Sequence, residues 1–342
     1  MGSNDTVIGW ASLKHKLISV LLSILLSAVI GFSVVSVAVS AVGWQKTKSY
    51  PTTIDGHSCV VSGGYVYCVG GDIHASASST RAVYFAKLSS SGVGTWTKTT
   101  SYPTTIYRQS CVASGGYIYC VGGFNGFIWS GAVYFAKLSS SGVGTWKLTT
   151  YTNDVADQSC VASGGYIYCV GGYNGVVYTS AVYYAKLSST GVGAWKSTTS
   201  YPTNVAFQSC VTVTGFIYCV GGYTGTSETS AVYTSTLSSA GVGSWSLVSG
   251  GFGNYPNPIN SQSCVVIAGV PFVIYCVGGY NGNTGITSAV DVFAEGSWCV
   301  ACVASYPTII ADQSCIVNGV DIYCIGGYNG SGDISAVYFF VV

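Results

Sequence analysis

The chain has 342 residues and a net charge of +1, and only 7% of it is charged, against roughly a quarter in an average soluble protein. Aromatics reach 14% and apolar residues 49%, which excludes a disordered chain. Lys and Arg form no run, which leaves nucleic-acid binding without an electrostatic footprint. Solubility rests instead on Ser, Thr, Tyr and amide groups. Polar groups that do not titrate suit an acidic exterior.

Residues 1–16 form a short polar segment expected on the cytoplasmic side. MGSNDT matches the myristoylation pattern at Gly2, a pattern short enough to occur by chance. Lys14, His15 and Lys16 then precede an apolar run from Leu17 to Val42, 26 residues interrupted only by Ser and Gly. About 20 apolar residues span a bilayer, so 17–42 is predicted to be a hydrophobic helix serving as a membrane anchor. Val39-Ser40-Ala41 is also an acceptable cleavage site, so a secretory signal cut near Ala41 is the alternative. In both cases the positive flank puts the remainder, 43–342, outside the cell, as a cell-surface or extracellular domain.

Residues 43–342 are built on a repeat. Cysteine pairs begin at Cys59, Cys111, Cys160, Cys210, Cys264 and Cys315, steps of 52, 49, 50, 54 and 51. Each unit holds four short β-rich runs separated by turn residues. In the second unit Cys111-Val112-Ala113 meets Gly115-Gly116. Tyr117 to Val121 follows and ends at Gly122-Gly123. A polar loop leads to Ala132–Ala136, then SSSGVGTW and a Thr-rich run complete the unit. A Gly-Gly pair suits a two-residue hairpin, because it tolerates positive φ at both positions.

That turn sets a register in which Ser114 faces Tyr117 and Cys111 faces Cys120 at a non-hydrogen-bonded pair. There Cα atoms lie about 4.5 Å apart, within disulfide range. The pairs Cys59–Cys68, Cys111–Cys120, Cys160–Cys169, Cys210–Cys219, Cys264–Cys276 and Cys315–Cys324 are therefore expected to bond within their units. The alternative is buried free thiols. No third or fourth ligand recurs beside each pair, so no metal is expected, and no cofactor. Cys299-Val300-Ala301-Cys302 breaks the pattern. It lacks the βαβ context of a redox CxxC and reads as structural, bonded either locally through a bulge or to other partners.

The repeat tryptophans are Trp44, Trp96, Trp146, Trp195, Trp245 and Trp298. Trp44 precedes the first cysteine pair, and no Trp follows the last, so the last unit lacks its fourth strand and the N-terminus carries a spare one. A ring explains this. The fold class is all-β, a six-bladed β-propeller with four-stranded blades, closed by the N-terminal strand and preceded by one hydrophobic helix.

Ile322-Tyr323-Cys324-Ile325-Gly326-Gly327-Tyr328-Asn329-Gly330 resembles the kelch repeat, and the likeness recurs six times over 44–342. The chain departs from that pattern in its long Tyr-to-Trp inserts and in its cysteines. "AVYYAKLSSTGVGAW" is similar to exported repeat proteins of thermoacidophilic archaea, a resemblance that implies location and no activity. Some kelch propellers, galactose oxidase and sialic-acid mutarotases among them, are enzymes. The copper ligands of the former cannot be assembled from His57 and His74, and no carboxylate pair stands out as a glycosidase site.

Four-stranded blades put the Ser-Gly-Gly turns and SSSGVG loops on one face and the variable loops on the other. Variation among matched repeats points to binding on that second face. If the anchor is retained, this face points away from the membrane. The candidate binding residues are Asp55, His57, Asp72, Arg108, Gln109, Trp129, Asp157, Gln158, Gln208, Gln262, Asp312 and Gln313. His57 and the five glutamines precede the inner strands and would ring the channel mouth. Their alternative role is to satisfy loop backbone groups. The function expected is that of a non-enzymatic binding or surface-structure protein, its partner a protein or glycan. A kelch-type carbohydrate-active enzyme and a subunit of an extracellular filament or sheath are the alternatives. Asn329-Gly330-Ser331 is a glycosylation sequon whose use is open.

Overall fold

A computed structural model describes residues 43–74, 78–151, 153–248, 253–269 and 271–342. The segments expected at 1–16 and 17–42 lie outside the described residues. Among the described residues no helix is long and apolar enough to cross a membrane.

The fold is an all-β propeller of six blades. The inner strands are Ser58–Ser62, Ser110–Ser114, Ser159–Ser163, Ser209–Val213, Ser263–Ile267 and Ser314–Asn318. Each packs beside its two neighbours, and the last packs against the first. Within each blade the second strand pairs with the inner one in the register the Gly-Gly turn dictates. Ser114 faces Tyr117 and Cys111 faces Cys120, with Gly115 and Gly116 at φ +58° and +78°. The fifth blade keeps this register across a longer turn, with Ile267 opposite Val273.

All fourteen cysteines are paired. Six disulfides lie within blades, with Cα atoms 4.0–4.1 Å apart, and the seventh joins Cys299 to Cys302. The strand Ser297–Cys299 ends at its cysteine, so the local bond closes a turn and no bulge is needed. Seven disulfides indicate an oxidising, extracellular location.

The ring closes at the N-terminal strand. Gln45 and Lys46 pair with Phe339 and Tyr338 of the sixth blade. The Trp44 ring lies 4.9 Å from Tyr306, and its Nε1 donates to the Ala304 carbonyl.

The outer strand differs from the single Thr-rich run expected. In the first blade it is broken into Gly92–Val93, folded back on Leu88 and Ser89, and Thr97–Lys98, paired with Phe85 and Tyr84. Trp96 sits at the break. It turns to the preceding blade, where its Nε1 donates to the Lys48 carbonyl and its ring meets Tyr50 edge-on at 4.9 Å. Trp146 and Trp245 make the same bond. A tertiary contact between blades thus overrides a continuous ladder.

The core lies between blades. Each of its clusters joins neighbours, as where Tyr67 and Val69 of the first blade pack with Ile118 and Cys120 of the second. Tyr102 and Ile106, from the chain crossing between those blades, are 1% exposed there. The Gly-Gly pair after each second strand makes room for this crossing. A Cβ on Gly122 would run into the Val155 carbonyl and the Gln158 side chain.

Candidate functional site

Three sets of hydrogen bonds build the channel mouth. In the first, each inner strand donates its cysteine N–H to a serine hydroxyl of the preceding blade. Cys111 donates to Ser58, Cys160 to Ser110, and so on until Cys59 donates to Ser314, all at 2.9–3.0 Å. This is the role of the Ser in the recurring Gln-Ser-Cys.

The Gln serves a second set. Gln109, Gln158, Gln208, Gln262 and Gln313 are each 5–6% exposed. Each donates its Nε2 to the last carbonyl of the preceding blade's second strand, as Gln109 does to Val69 at 2.7 Å. Their Oε1 atoms have no protein partner among the described residues. His57 occupies the sixth position. It stacks on Tyr50, and neither ring nitrogen finds a protein partner among the described residues. Burial pushes its pKa down to about 3, so the imidazole is neutral over most of the pH range.

The third set is a closed ring of backbone bonds through the residues just before the Gln or His. Arg108 N–H donates to Gly56, Asp157 to Arg108, Phe207 to Asp157, Ser261 to Phe207, Asp312 to Ser261, and Gly56 to Asp312, at 2.7–3.0 Å. All six residues are left-handed, with φ between +54° and +60°. Five of them are not glycine. Such a conformation costs on the order of 1 kcal/mol or more at each and persists only where its surroundings hold it. Here the closed ring does the holding.

Because the backbone is the same at all six positions, only the side chains differ. They surround a cup of about 160 Å³ at the channel mouth. Arg108 reaches Asp157, with Nε 3.7 Å from Oδ1, and its guanidinium lies 5.3 Å from the Phe207 ring centre. Burial holds the Asp157 carboxyl up at about 7 against the opposing pull of Arg108. Burial also raises Asp312, opposed by Arg108 and by a hydrogen bond from Ser261. By order around the ring, Asp157 and Asp312 stand three blades apart, on opposite sides of the cup.

Of the residues expected at a site, the structure brings nine into the lining of the cup: His57, Arg108, Gln109, Asp157, Gln158, Gln208, Gln262, Asp312 and Gln313. Asp55, Asp72 and Trp129 are not among its lining. Trp129 packs across blades two and three, between Phe124 and Tyr173 and over Gly175. Asp55 and Asp72 exchange backbone bonds. Phe207 and Ser261, not singled out from the sequence, line the cup. Their signal was their place before the Gln, the same as that of Arg108.

A second polar group spans the seam between the last and first blades. His74 Nδ1 lies 2.7 Å from Asp333 Oδ1 and 3.5 Å from Asp55 Oδ2, and its backbone N–H donates to Asp333 Oδ2. Burial, with the charges of Asp312 and Asp333 added, raises the Asp55 carboxyl to about 8. Burial alone would lower His74, but Asp55 and Asp333 outweigh it and its pKa rises. Three ligand atoms within 4.8 Å of one another could hold a metal ion. The Asp333–His74 bond already uses two of those residues on each other.

The variable loops show a further contrast. Asn125 and Asn174 each accept two backbone N–H bonds and so fix the tips that follow. Those tips display Phe127 at 88%, Val176 at 82%, Ile128 and Val177, all exposed. The matching loop of the fourth blade carries Thr226 and Ser227.

No known protein family matches this sequence, and no curated protein does either. A solved structure titled "Structure of YjhT" is similar in fold, with a TM-score of 0.71 and 14% identity over 86% of this chain and 96% of that one. At that identity the likeness concerns the fold alone.

Proposed function

We propose that this chain is an exported, kelch-like propeller, membrane-anchored through 17–42 or secreted after cleavage, that binds a glycan or protein ligand at the channel mouth on its variable face. One observation carries the reading. A closed backbone ring repeats six times with one geometry, while the side chains it presents are Gly, Arg, Asp, Phe, Ser and Asp. A fixed frame with dissimilar side chains is how a recognition site is built on a repeat. The exposed apolar tips of the variable loops, held by Asn125 and Asn174, support an interaction face. Kelch-like type is supported by the Gly-Gly, Tyr and Trp that recur in each unit, and location by the disulfides. The test is a glycan array and a surface-protein capture with the full chain. A captured ligand should lose at least about tenfold in affinity on Arg108→Ala or Asp312→Ala. A ligand that binds both variants as tightly as the parent puts recognition elsewhere.

One observation favours the enzymatic alternative. Burial raises the Asp157 carboxyl to about 7, into the range that suits a general acid at neutral pH. Turnover of a sugar abolished by Asp157→Asn, with binding retained, would establish that reading. Binding without turnover keeps the first.

A further inference from the structure

We infer that the outer rim of blades one to three binds a linear polyanion, an extracellular acidic polysaccharide bearing carboxylate or sulfate groups. Along the chain the lysines lie apart and form no run. The repeat of about fifty residues brings them side by side on the ring. Residues 43–196 carry ten Lys or Arg and four acidic residues, a net of +6, whereas 197–342 carry six acidic residues and no Lys or Arg, a net of −6.

Lys87, Lys137 and Lys186 hold one third-strand position, opposite Tyr65, Tyr117 and Tyr166. Lys98, Lys147 and Lys196 stand on the outer strands of the same blades, and Lys46 on the closing strand, with Lys48 just after it, extends the arc. All eight are exposed, whereas most acidic residues of the other half are buried or half-buried. In blade two, Tyr117, Thr145, Lys137 and Lys147 line an opening of about 230 Å³, room for one anionic group with two ammonium donors beside it.

Lysine on an edge strand also guards against edge-to-edge aggregation. That does not explain the distribution. The outer strands Ser246–Leu247 and Ser297–Cys299 of blades four and five are edges too and carry no lysine. Their third strands place Thr236 and Ala294 where the first three blades have lysine. Fields of one sign summed over three neighbouring blades concentrate a flexible chain of opposite charge. The disulfides put the partner outside the cell.

The experiment measures retention of the full chain on immobilised polygalacturonate at mildly acidic pH, across a salt series. The parent should bind at low salt and weaken steeply as salt rises, as counterion release requires. Lys87→Gln/Lys137→Gln/Lys186→Gln should bind at least about tenfold more weakly at about 50 mM salt, with melting unchanged. Thr236→Lys/Ala294→Lys should lengthen the arc and strengthen retention. Retention of the triple variant like that of the parent overturns the inference. So does tighter binding, by more than about tenfold, to anionic lipid vesicles or single-stranded DNA.

Discussion

The hub and the rim of the propeller obey different rules. At the hub the six inner strands are nearly interchangeable, each with its Ser acceptor, its buried cysteine and a Gln or His. At the rim the outer strands carry Thr-Lys, Lys-Leu-Thr-Thr, Lys-Ser, Ser-Leu, Ser-Trp-Cys and Gln-Lys. Closure explains the contrast. Six wedges must sum to a full turn, so an error in the angle at one hub position displaces every later blade. A rim residue answers only to solvent or to a partner. Uniformity therefore marks where geometry constrains the chain, and diversity marks where it is free to acquire function.

The strongest way to break this picture is to open the ring. Deleting residues 43–50 removes Trp44, the pairing with Phe339 and the buried Tyr50. With large aromatics lost at about 3–5 kcal/mol each, and about 2–4 °C per kcal/mol for a domain somewhat smaller than this one, melting should fall by at least about 10 °C. Unchanged melting contradicts closure by this strand.

A pair of disulfide deletions tests the hub against the rim more finely. Cys111→Ala/Cys120→Ala removes a buried crosslink and should cost about 3 kcal/mol, whereas Cys299→Ala/Cys302→Ala removes one that closes a shorter loop and should cost about 2. Denaturant unfolding of both variants gives the comparison. A rim deletion that destabilises more than the hub deletion reverses the proposed order.

The smallest change repairs the one irregular hub position. His57→Gln places an amide where Nε2 can donate to the Ile325 carbonyl, as its five equivalents do to their valines, and should stabilise by about 1 kcal/mol. It also separates two pH effects. The depressed His57 stays neutral in the fold while the unfolded chain takes up a proton. Its contribution is present above about pH 6.5 and is lost as pH falls from there towards 3. Asp55 and Asp157 act in the opposite sense. Raised to about 8 and 7, they favour the fold while protonated, below the ordinary carboxylate value near 3.9, and that contribution is lost as pH rises through 7 and 8. His57→Gln should flatten the acid limb of a melting-against-pH curve and leave the alkaline limb intact. A variant that flattens neither shows that His57 gains a partner in solution.

Much of this was legible in the sequence. The hairpin register and within-blade disulfides follow from a two-residue turn and the period of two along strands. Closure follows from counting tryptophans against cysteine pairs. The broken outer strand was not legible, because Trp96 answers to Lys48 and Tyr50 of another blade and no local propensity records that. Charge marks Arg108, Asp157 and Asp312 in the sequence, whereas Phe207 and Ser261 share the same left-handed position and carry no charge to mark them. The partner of His74 lies 259 residues away, and only the closed ring brings the two together. The choice for Cys299 between a local and a distant partner rested on where its strand stops, which a residue pattern does not specify.

The six hub disulfides all lock short hairpins, spanning nine residues in five cases and twelve in one, and none links one blade to another. Under mechanical load this makes the ring a spool with a weak end. Tension applied at the N-terminus falls first on Gln45–Lys46, the two-residue strand that holds the seam. Once it peels away, blades unwind in order from the seam, and no covalent bond between them stops the crack. Each released blade still keeps its locked hairpin, which withholds roughly 30 Å of contour from the stretched chain. A force–extension trace of the oxidised protein would therefore show steps shorter than the residue count allows, and reduction would lengthen each of them.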